Sequence, residues 1–426
     1  MRILILCFTI FCLTFTTHAE FKSAIAIRVV TPDPLLPLVG GVGASSPSTE
    51  ARGDLTVRAL VLENDGVRVA ICSTDFIGFP SPLCKKVRAQ VKSIPTANIL
   101  IGATHTHSAP DTFCFPDGQG GTSVNLDYLD FICTQLAEAI EEAVTKLEPS
   151  SMRVATGEVQ GKIAYNYYAP MLYDPRASII QTLDAQGDVI TTLVNYANHP
   201  EIIGDSNGIT SPDFVGPLYD RIEALGGGTP IFMNGAEGGM ITADNRDFKR
   251  PKTPAADYFH LDRTWAECLR IGHALADESM RIIKNAPVQK NPALRVTMKT
   301  VDFPCDNPNF RYIFETSPVD YTLSKDFVAS IPINVVNLGN AQMLSLPGEA
   351  LPNIGYYLKR KMLGEHNLLL GLTNDHLGYI LLKEDWNSFK RYDYITESSM
   401  GEMTGEILIE EGLALVNATP IASKGE

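Results

Sequence analysis

The 426-residue chain is 45% hydrophobic and 20% charged, which is an ordinary composition for a large globular protein, and its formal net charge is −14. This acidic balance excludes a general attraction for nucleic acid or for anionic lipid surfaces, and no basic cluster reverses it locally. No stretch of about 18 residues is apolar enough to span a membrane.

The N-terminus has the pattern of a secretory signal. Met1 and Arg2 are followed by the apolar run 3–14 and then by the small residue Ala19. A positive start, an apolar middle and a small residue at the cleavage point are typical of a signal peptide. We therefore expect residues 1–19 to be removed and the protein to be secreted or periplasmic.

Six cysteines follow the predicted signal, and none of them forms a Cys-x-x-Cys pair. This spacing argues against a thiolate zinc site or a thioredoxin-type centre. Export permits disulfides, but the sequence does not select one pairing among the many available. Cys72 lies in an apolar strand, which predicts a small core residue. The six are Cys72, Cys84, Cys114, Cys133, Cys268 and Cys305.

Along the chain, residues 20–58 are predicted to form an irregular entry, after which strands and helices alternate. An Asn-Asp-Gly turn at 64–66 predicts a hairpin between strands at 55–62 and 67–73. Apolar residues at helical spacing predict a long helix over 125–147. The other predicted strands are 99–103, 177–183, 189–197, 230–233, 294–303, 331–338, 342–346 and 368–372, and the other predicted helices are 82–91, 213–225, 263–284 and 350–362.

This alternation predicts an α/β fold with mixed β-sheets in the core and helices on their flanks. We find neither an internal repeat nor a convincing linker in the sequence. One large domain is therefore expected over residues 20–426.

Two histidines follow the apolar strand at 99–103. His105 and His107 are two residues apart, so on an extended chain both point to the same face. Histidine is the commonest nitrogen ligand of zinc. Taken alone, the pair is weak evidence, because two polar residues at a strand end have the same appearance.

Three further strand ends carry groups that can bind a metal: His199 before Pro200, Glu349 after the strand at 342–346, and Tyr379 in the loop after 368–372. Each of these residues also has an explanation that involves no metal. The histidine could bond only to the backbone, the glutamate could favour a helix N-terminus, and the tyrosine could be a core aromatic. Their combination is what points to a site.

The strings Gly-Ala-Thr-His-Thr-His-Ser-Ala-Pro, Asn-His-Pro, Asn-Gly-Ala-Glu-Gly and Leu-Pro-Gly-Glu occur in this order, followed by the Gly-Tyr loop. From about Ile25 to near the C-terminus, the chain thereby resembles the catalytic domain of the neutral (non-lysosomal) ceramidase family. That family holds one zinc ion with two histidines, a glutamate and a tyrosine. The resemblance implies the ligands His105, His199, Glu349 and Tyr379.

The resemblance also implies residues on the substrate side of the metal. His107 would lie beside the metal and contact the substrate or its oxyanion. A further tyrosine of the family best matches Tyr392, with Tyr394 as the alternative.

The chemistry agrees with these residue types. Two neutral histidines and a carboxylate leave a zinc ion positively charged with room for water, whose pKa falls to about 7 when bound. Attack of zinc-bound hydroxide on an amide gives an oxyanion that zinc and a nearby donor can stabilise. In the family the amide is that of ceramide, and the products are sphingosine and a fatty acid.

The sequence departs from the family pattern in three ways. The position of a serine with an assigned catalytic role falls on Ile241, so Thr242 could replace it only if the register shifts. Tyr167 follows Asn166 where the family has an arginine. The C-terminal immunoglobulin-like domain of the family is expected to be missing, because few residues follow Tyr379.

These observations predict an exported zinc-dependent amidohydrolase that acts on an N-acyl sphingoid or related lipid. The expected cofactor is Zn²⁺. The expected partners are a lipid or N-acyl amide and, transiently, a membrane surface, but no nucleic acid. Two alternatives stay open: a lipid-binding protein without activity, and a hydrolase of another ester or amide. A long apolar groove favours lipid, whereas a small polar pocket counts against it.

Overall fold

The structure, a computed structural model, describes residues 20–117, 119–249, 260–321, 323–324, 326–419 and 421. The predicted signal peptide, residues 1–19, lies outside the described residues. Within them, no helix combines the length and the apolar character that crossing a membrane requires.

In chain order the longer strands are β1 (Lys22–Val29), β2 (Thr56–Asn64), β3 (Val67–Thr74), β4 (Ile99–Ala103), β5 (Ser151–Glu158), β6 (Ala164–Asn166), β7 (Arg176–Leu183), β8 (Val189–Tyr196), β9 (Thr229–Asn234), β10 (Ile241–Ala243), β11 (Leu294–Pro304), β12 (Val328–Leu338), β13 (Ala341–Ser345) and β14 (His366–Leu370). The α-helices are α1 (Ser81–Gln90), α2 (Leu126–Thr145), α3 (Val215–Ala224), α4 (Trp265–Ile283), α5 (Pro308–Thr316), α6 (Pro352–Lys361), α7 (Asp393–Glu397) and α8 (Thr404–Ala418). Two-residue strands are Leu38–Val39, Glu50–Ala51, Ala109–Pro110, Glu148–Pro149, Ile209–Thr210, Val288–Gln289, Glu349–Ala350 and Tyr379–Ile380, and 3-10 turns are Thr96–Asn98, Asp205–Asn207 and Lys390–Tyr392.

Three sheets repeat one topology. Their spatial orders are β4-β3-β2-β1, β9-β8-β7-β5 and β14-β13-β12-β11. In each sheet one pair is parallel and is joined through a helix: β3-α1-β4, β8-α3-β9 and β13-α6-β14. The other pairs of these four-strand units are antiparallel. We call these units the first, second and third modules. The sequence shows no internal repeat because the modules share a backbone arrangement without sharing residues.

The three sheets face one another across a central core. Leu60 of β2, Ile180 of β7 and Val336 of β12 are equivalent positions in the three modules, and all are buried there. The opposite face of each sheet packs against its own helices, which are α1 and α2 in the first module, α3 and α4 in the second, and α5, α6 and α8 in the third. The predicted α/β class, with mixed sheets flanked by helices, is confirmed.

Local signals explain several of these boundaries. The predicted hairpin between β2 and β3 forms, with Asp65 and Gly66 at φ 48° and 75°, which suits a two-residue turn. Helix α2 begins after Asn125, whose side chain accepts a hydrogen bond from the Tyr128 N–H at 3.0 Å. Such a cap contributes about 1 kcal/mol.

The prediction of an irregular entry over 20–58 is wrong for its first part. β1 forms there and pairs with β2 along eight residues, so tertiary pairing overrides the weak strand preference of an alanine-containing segment. β5, β6, β10, α5, α7 and α8 were not predicted. The remaining predicted elements agree within a few residues. Cys72 is buried in the core as predicted, and the six cysteines are unpaired thiols.

The modules matter for function because several strands end at one place. β4 leads to His105, β8 leads to His199, β13 leads to Glu349 and β14 leads to His376. The four side chains meet in one buried cluster. This agrees with the general rule that α/β proteins build sites beyond the carboxyl ends of their strands.

Candidate metal centre

His105, His199 and Glu349 converge from the three modules. The Oε2 atom of Glu349 lies 3.1 Å from Nε2 of His199 and 3.7 Å from Nε2 of His105. The imidazole rings of the two histidines are 4.5 Å apart. All three side chains are buried, so bulk water does not solvate their polar atoms.

His105 is held by the backbone of the first module. Its Nδ1–H donates to the carbonyl of Ile77 at 2.5 Å, and its backbone N–H donates to the carbonyl of Phe76. Its φ of 74° lies in the left-handed region, which non-glycine residues adopt at a cost of about 1–3 kcal/mol. The surrounding bonds therefore impose a strained conformation that turns Nε2 toward Glu349.

His199 is held in the same way by the second module. Both its backbone N–H and its ring Nδ1–H donate to the carbonyl of Ile241, each at 2.8 Å. A carbonyl accepts only, so the proton of the neutral ring is fixed on Nδ1 and the lone pair of Nε2 is directed at Glu349. Histidine ligands of metals are usually oriented by such a bond from the other ring nitrogen.

The electrostatics of the cluster follow from this geometry. Burial lowers the pKa of His105 well below its ordinary value. For His199, burial lowers the pKa but contact with Glu349 raises it, and the net result is a pKa of about 9. Burial raises the pKa of Glu349, but the neighbouring histidines outweigh this and hold it well below its usual range. Glu349 is therefore ionised and needs positive charge beside it.

These three residues fit a divalent cation. When both rings are neutral, Nε2 of His105, Nε2 of His199 and Oε2 of Glu349 are all acceptors, 3.1–3.7 Å apart along the Glu349 contacts, and the raised pKa of His199 means that a proton on its Nε2 fills this contact when no metal is bound. Such an arrangement is repulsive unless a proton or a cation occupies it. Two imidazole nitrogens and a carboxylate form the ligand set of many catalytic zinc sites, which leave one position open.

His107 lies beside the cluster, with its ring 4.8 Å from that of His105. Its Nδ1 is 3.9 Å from the Glu201 carboxylate, and its buried Nε2 has no hydrogen-bond partner among the described residues. It also lines a cavity next to the cluster. The Nε2 atom therefore has hydrogen-bonding capacity that no described residue uses.

Tyr379 comes close to Glu349 because the two-residue strands Glu349–Ala350 and Tyr379–Ile380 pair in parallel. Its hydroxyl donates to Sδ of Met240 at 3.0 Å, and burial raises its pKa well above the ordinary value. The Tyr379 side chain lines the cavity.

The two candidate tyrosines beyond Tyr379 differ in position. Tyr392 packs against Tyr168 and Phe389, and it is not among the residues that line the cavity. Tyr394, the alternative, lines the cavity, and its ring lies 6.0 Å from that of Tyr379.

The segment 241–242, onto which the serine position of the family falls, contributes no side chain to the cavity lining. The Ile241 side chain is fully buried in the apolar core of the second module, and only its carbonyl serves the cluster. Thr242 is buried in the short strand β10 and bridges to the backbone of His199, but it does not line the cavity. The Tyr167 N–H donates to the carbonyl of Met240.

Two further residues shape the cluster without having been predicted as site residues. His376 bonds through Nε2 to Oε1 of Glu349 at 3.0 Å. The Asn234 side chain donates to the carbonyls of Thr104 and Asn198, each at 3.1 Å, and so ties together the residues that precede His105 and His199. For both, the available sequence signal was a single polar residue just after a predicted strand.

The cavity beside the cluster is small, about 40 Å³. Besides the cluster residues it is walled by apolar and aromatic side chains, and Gly41 and Val42 lie at its edge. The apolar and aromatic lining consists of Val42, Ile77, Phe113, Phe115, Phe310, Tyr379 and Tyr394.

Comparison with known proteins gives a consistent result. No family model matches the chain. Over 203 residues the chain is 25% identical to neutral ceramidase from Pseudomonas aeruginosa, a stretch that covers 41% of this chain and 30% of that protein. The crystal structure of neutral ceramidase from Pseudomonas aeruginosa matches with a TM-score of 0.73 at 17% identity, over 96% of this chain and 76% of the other. A structure of a ceramidase complexed with C2 also gives a TM-score of 0.73, at 16% identity, over 96% and 77% of the two chains.

The predicted resemblance to neutral ceramidases is thereby confirmed, and the chain has a neutral-ceramidase-like fold. The sequence match spans less than a third of the curated relative. The cluster of histidines and glutamate is compatible with a metal ion.

Proposed function

We propose that this chain, whose fold is that of neutral ceramidases, is a zinc-dependent amidohydrolase. His105, His199 and Glu349 are the proposed ligands, with Tyr379 as the predicted fourth. The observation that supports this most strongly is the buried contact of Oε2 of Glu349 with Nε2 of both histidines, whose Nδ1–H groups are both held by backbone carbonyls. A zinc ion held there would lower the pKa of a bound water to about 7 and polarise a carbonyl group.

The residues around the ligands have separable tasks. The carbonyls of Ile77 and Ile241 fix the ring protons of the two histidine ligands on Nδ1. His107, whose Nε2 has no partner among the described residues, donates to the oxygen that becomes negative during amide cleavage or carries the proton to the leaving amine. The aromatic wall excludes bulk water, which strengthens these interactions.

The proposed substrate is an N-acyl compound with an apolar group next to the amide. An apolar and aromatic lining favours such a group over a polar one. The cavity of 40 Å³ has room for about three water molecules, because each water needs about 10–15 Å³. A long acyl chain therefore has to extend past the cavity edge at Gly41 and Val42, whereas a short acyl group fits within it.

A test of this function measures amine release from N-acyl substrates of increasing chain length, with ceramide as one member of the series. The expected result is zinc-dependent turnover that is lost in His199→Ala, with the shorter chains preferred. Full activity of His199→Ala without metal contradicts the proposal.

A lipid-binding protein without activity is the second candidate. It is supported by Ile241, which occupies the predicted serine position and contributes no hydroxyl to the cavity. This candidate predicts binding of an N-acyl ligand without product release, even when zinc is bound.

We also propose that the chain is exported, because residues 1–19 have the pattern of a signal peptide. The mass of the mature protein recovered outside the cytoplasm tests this. Cleavage after Ala19 is expected, and an intact N-terminus in the cytoplasm contradicts it.

A further inference from the structure

His376 is in contact with the proposed metal centre, and two roles are open to it. Its Nε2 lies 3.0 Å from Oε1 of Glu349, and the ligand atoms of His105, Glu349 and His376 all lie within 4.8 Å of one another. It could bind the metal itself, or it could donate a hydrogen bond to Glu349. The second ring nitrogen of the histidine distinguishes the two roles.

A histidine that binds metal through Nε2 carries its proton on Nδ1, and that proton needs an acceptor. His105 and His199 meet this requirement with the carbonyls of Ile77 and Ile241. His376 does not, because its Nδ1 is buried without a partner among the described residues. Gly78 stands directly against that nitrogen, where even an added Cβ would come within 2.3 Å. A proton on Nδ1 would therefore be an unsatisfied buried donor, whereas a proton on Nε2 has Oε1 of Glu349 as its acceptor.

We propose that His376 is a positioning residue for Glu349 and not a metal ligand. Its Nε2–H donates to Oε1 of Glu349, so the other oxygen, Oε2, is turned toward Nε2 of His199 and of His105. The inference rests on the proposed function, because it assigns a role within the same metal centre.

The surroundings of His376 fit this role. Its backbone N–H donates to the Asp375 carboxylate, which also accepts the backbone N–H of Ser81 at the start of α1. The ring of Phe113 packs edge-on against the His376 ring at 5.2 Å. Residues of the first module thus fix a histidine of the third module, and that histidine orients the carboxylate of Glu349.

Substitutions separate the two roles through zinc affinity and the absorption spectrum of the cobalt-substituted protein. The amide of glutamine can replace the Nε2–H donor, so His376→Gln is expected to bind zinc within about threefold of the wild type, whereas His376→Leu is expected to bind it about 10–100-fold more weakly. Gly78→Ala, which keeps the histidine but pushes its ring away, is expected to weaken zinc binding in the same direction. The cobalt spectrum is expected to keep its shape in all three, because the ligands are unchanged. His366→Gln, at a half-buried histidine that bonds to Thr156, is the matched control.

Two outcomes overturn the inference. If His376→Gln weakens zinc as much as His376→Leu and both alter the cobalt spectrum, His376 is a ligand. If His376→Leu, shown to be folded by circular dichroism, binds zinc like the wild type, His376 has neither role.

NMR of the histidine ring nitrogens tests the inference directly, with signals assigned by their loss in His376→Gln. The expected result is that His376 has a proton on Nε2 and none on Nδ1, while His105 and His199 carry theirs on Nδ1 in the zinc-loaded chain. A His376 with its proton on Nδ1 contradicts the proposal. The His376 tautomer can also be measured in the metal-free chain. A wild type that fails to bind zinc therefore refutes the proposed function, while the tautomer still tests the role of His376.

Discussion

The two sides of the cluster are built differently. On one side, His105, His199 and Glu349 bring charged or titratable groups together from three modules. On the other side, β10 supplies the Ile241 carbonyl while its isoleucine side chain lies in the apolar core. The metal-binding side therefore has its chemistry in side chains, whereas the β10 side supports the cluster through its backbone.

The largest effect is expected from breaking the metal-binding side at Glu349. Glu349→Gln removes the negative charge between the two histidines, so zinc affinity should fall by more than about 100-fold, the upper end for residues that only support a ligand. Zinc titration against a chelator measures this. Glu201→Gln is the control because the ion-pair partner of Glu201 is His107 rather than a proposed ligand, and equal losses in both variants would contradict the assignment.

Substitution of His107 tests whether zinc binding and substrate turnover can be separated on the metal-binding side. His107→Ala removes the ring nitrogen without a partner but none of the proposed ligands. Zinc content should be retained while kcat falls about 10²–10³-fold, as for the loss of one oxyanion donor. Steady-state kinetics beside metal analysis measure this, with His366→Ala as control. Loss of zinc in His107→Ala would show that His107 is itself a metal ligand.

Ile241→Ser tests the β10 side. The substitution puts a hydroxyl into the apolar core, so it should lower the free energy of unfolding by about 3–4 kcal/mol and should not increase turnover. Urea unfolding and the N-acyl assay measure the two effects. Thr242→Ala, at the neighbouring position, is the comparison. A gain in turnover in Ile241→Ser would show that this position reaches the substrate.

The smallest effect is expected at Asp213, which accepts backbone N–H bonds from Ile203 and Phe214 in the second module. Burial raises the pKa of Asp213 to about 6 although these bonds lower it. Between about pH 4 and pH 6 the folded chain therefore holds a proton that the unfolded chain, with an aspartate pKa of about 3.9, has released, and stability falls as the pH rises.

Asp213→Asn removes this titration. The slope of the unfolding free energy against pH should become less negative by up to about 1.4 kcal/mol per pH unit in that window. Denaturant unfolding at several pH values measures the slope, with the exposed Asp220→Asn as control. An unchanged slope in Asp213→Asn would contradict the assignment.

The sequence predicted strands, helices and strand-end histidines well because these depend on local patterns. The run at 99–103 and its two histidines are readable without tertiary contacts. The threefold topology was not readable, because Leu60, Ile180 and Val336 occupy equivalent positions in segments that do not resemble one another. β1 was missed because its pairing partner, rather than its composition, makes it a strand.

The cluster was predictable only in part for a similar reason. The identity of His105 and His199 follows from short strings, but the role of His376 depends on which atoms face its two ring nitrogens. Gly78 and Glu349, which decide this, are distant in sequence. Such information exists only once the modules are packed together.

The most direct test of the central claim is the zinc content of the purified chain, measured by elemental mass spectrometry for the wild type and for His199→Ala in parallel. We expect about one zinc per wild-type chain and none in the variant, with both chains folded. A wild type that takes up no zinc after reconstitution, or a variant that retains it fully, would contradict the account.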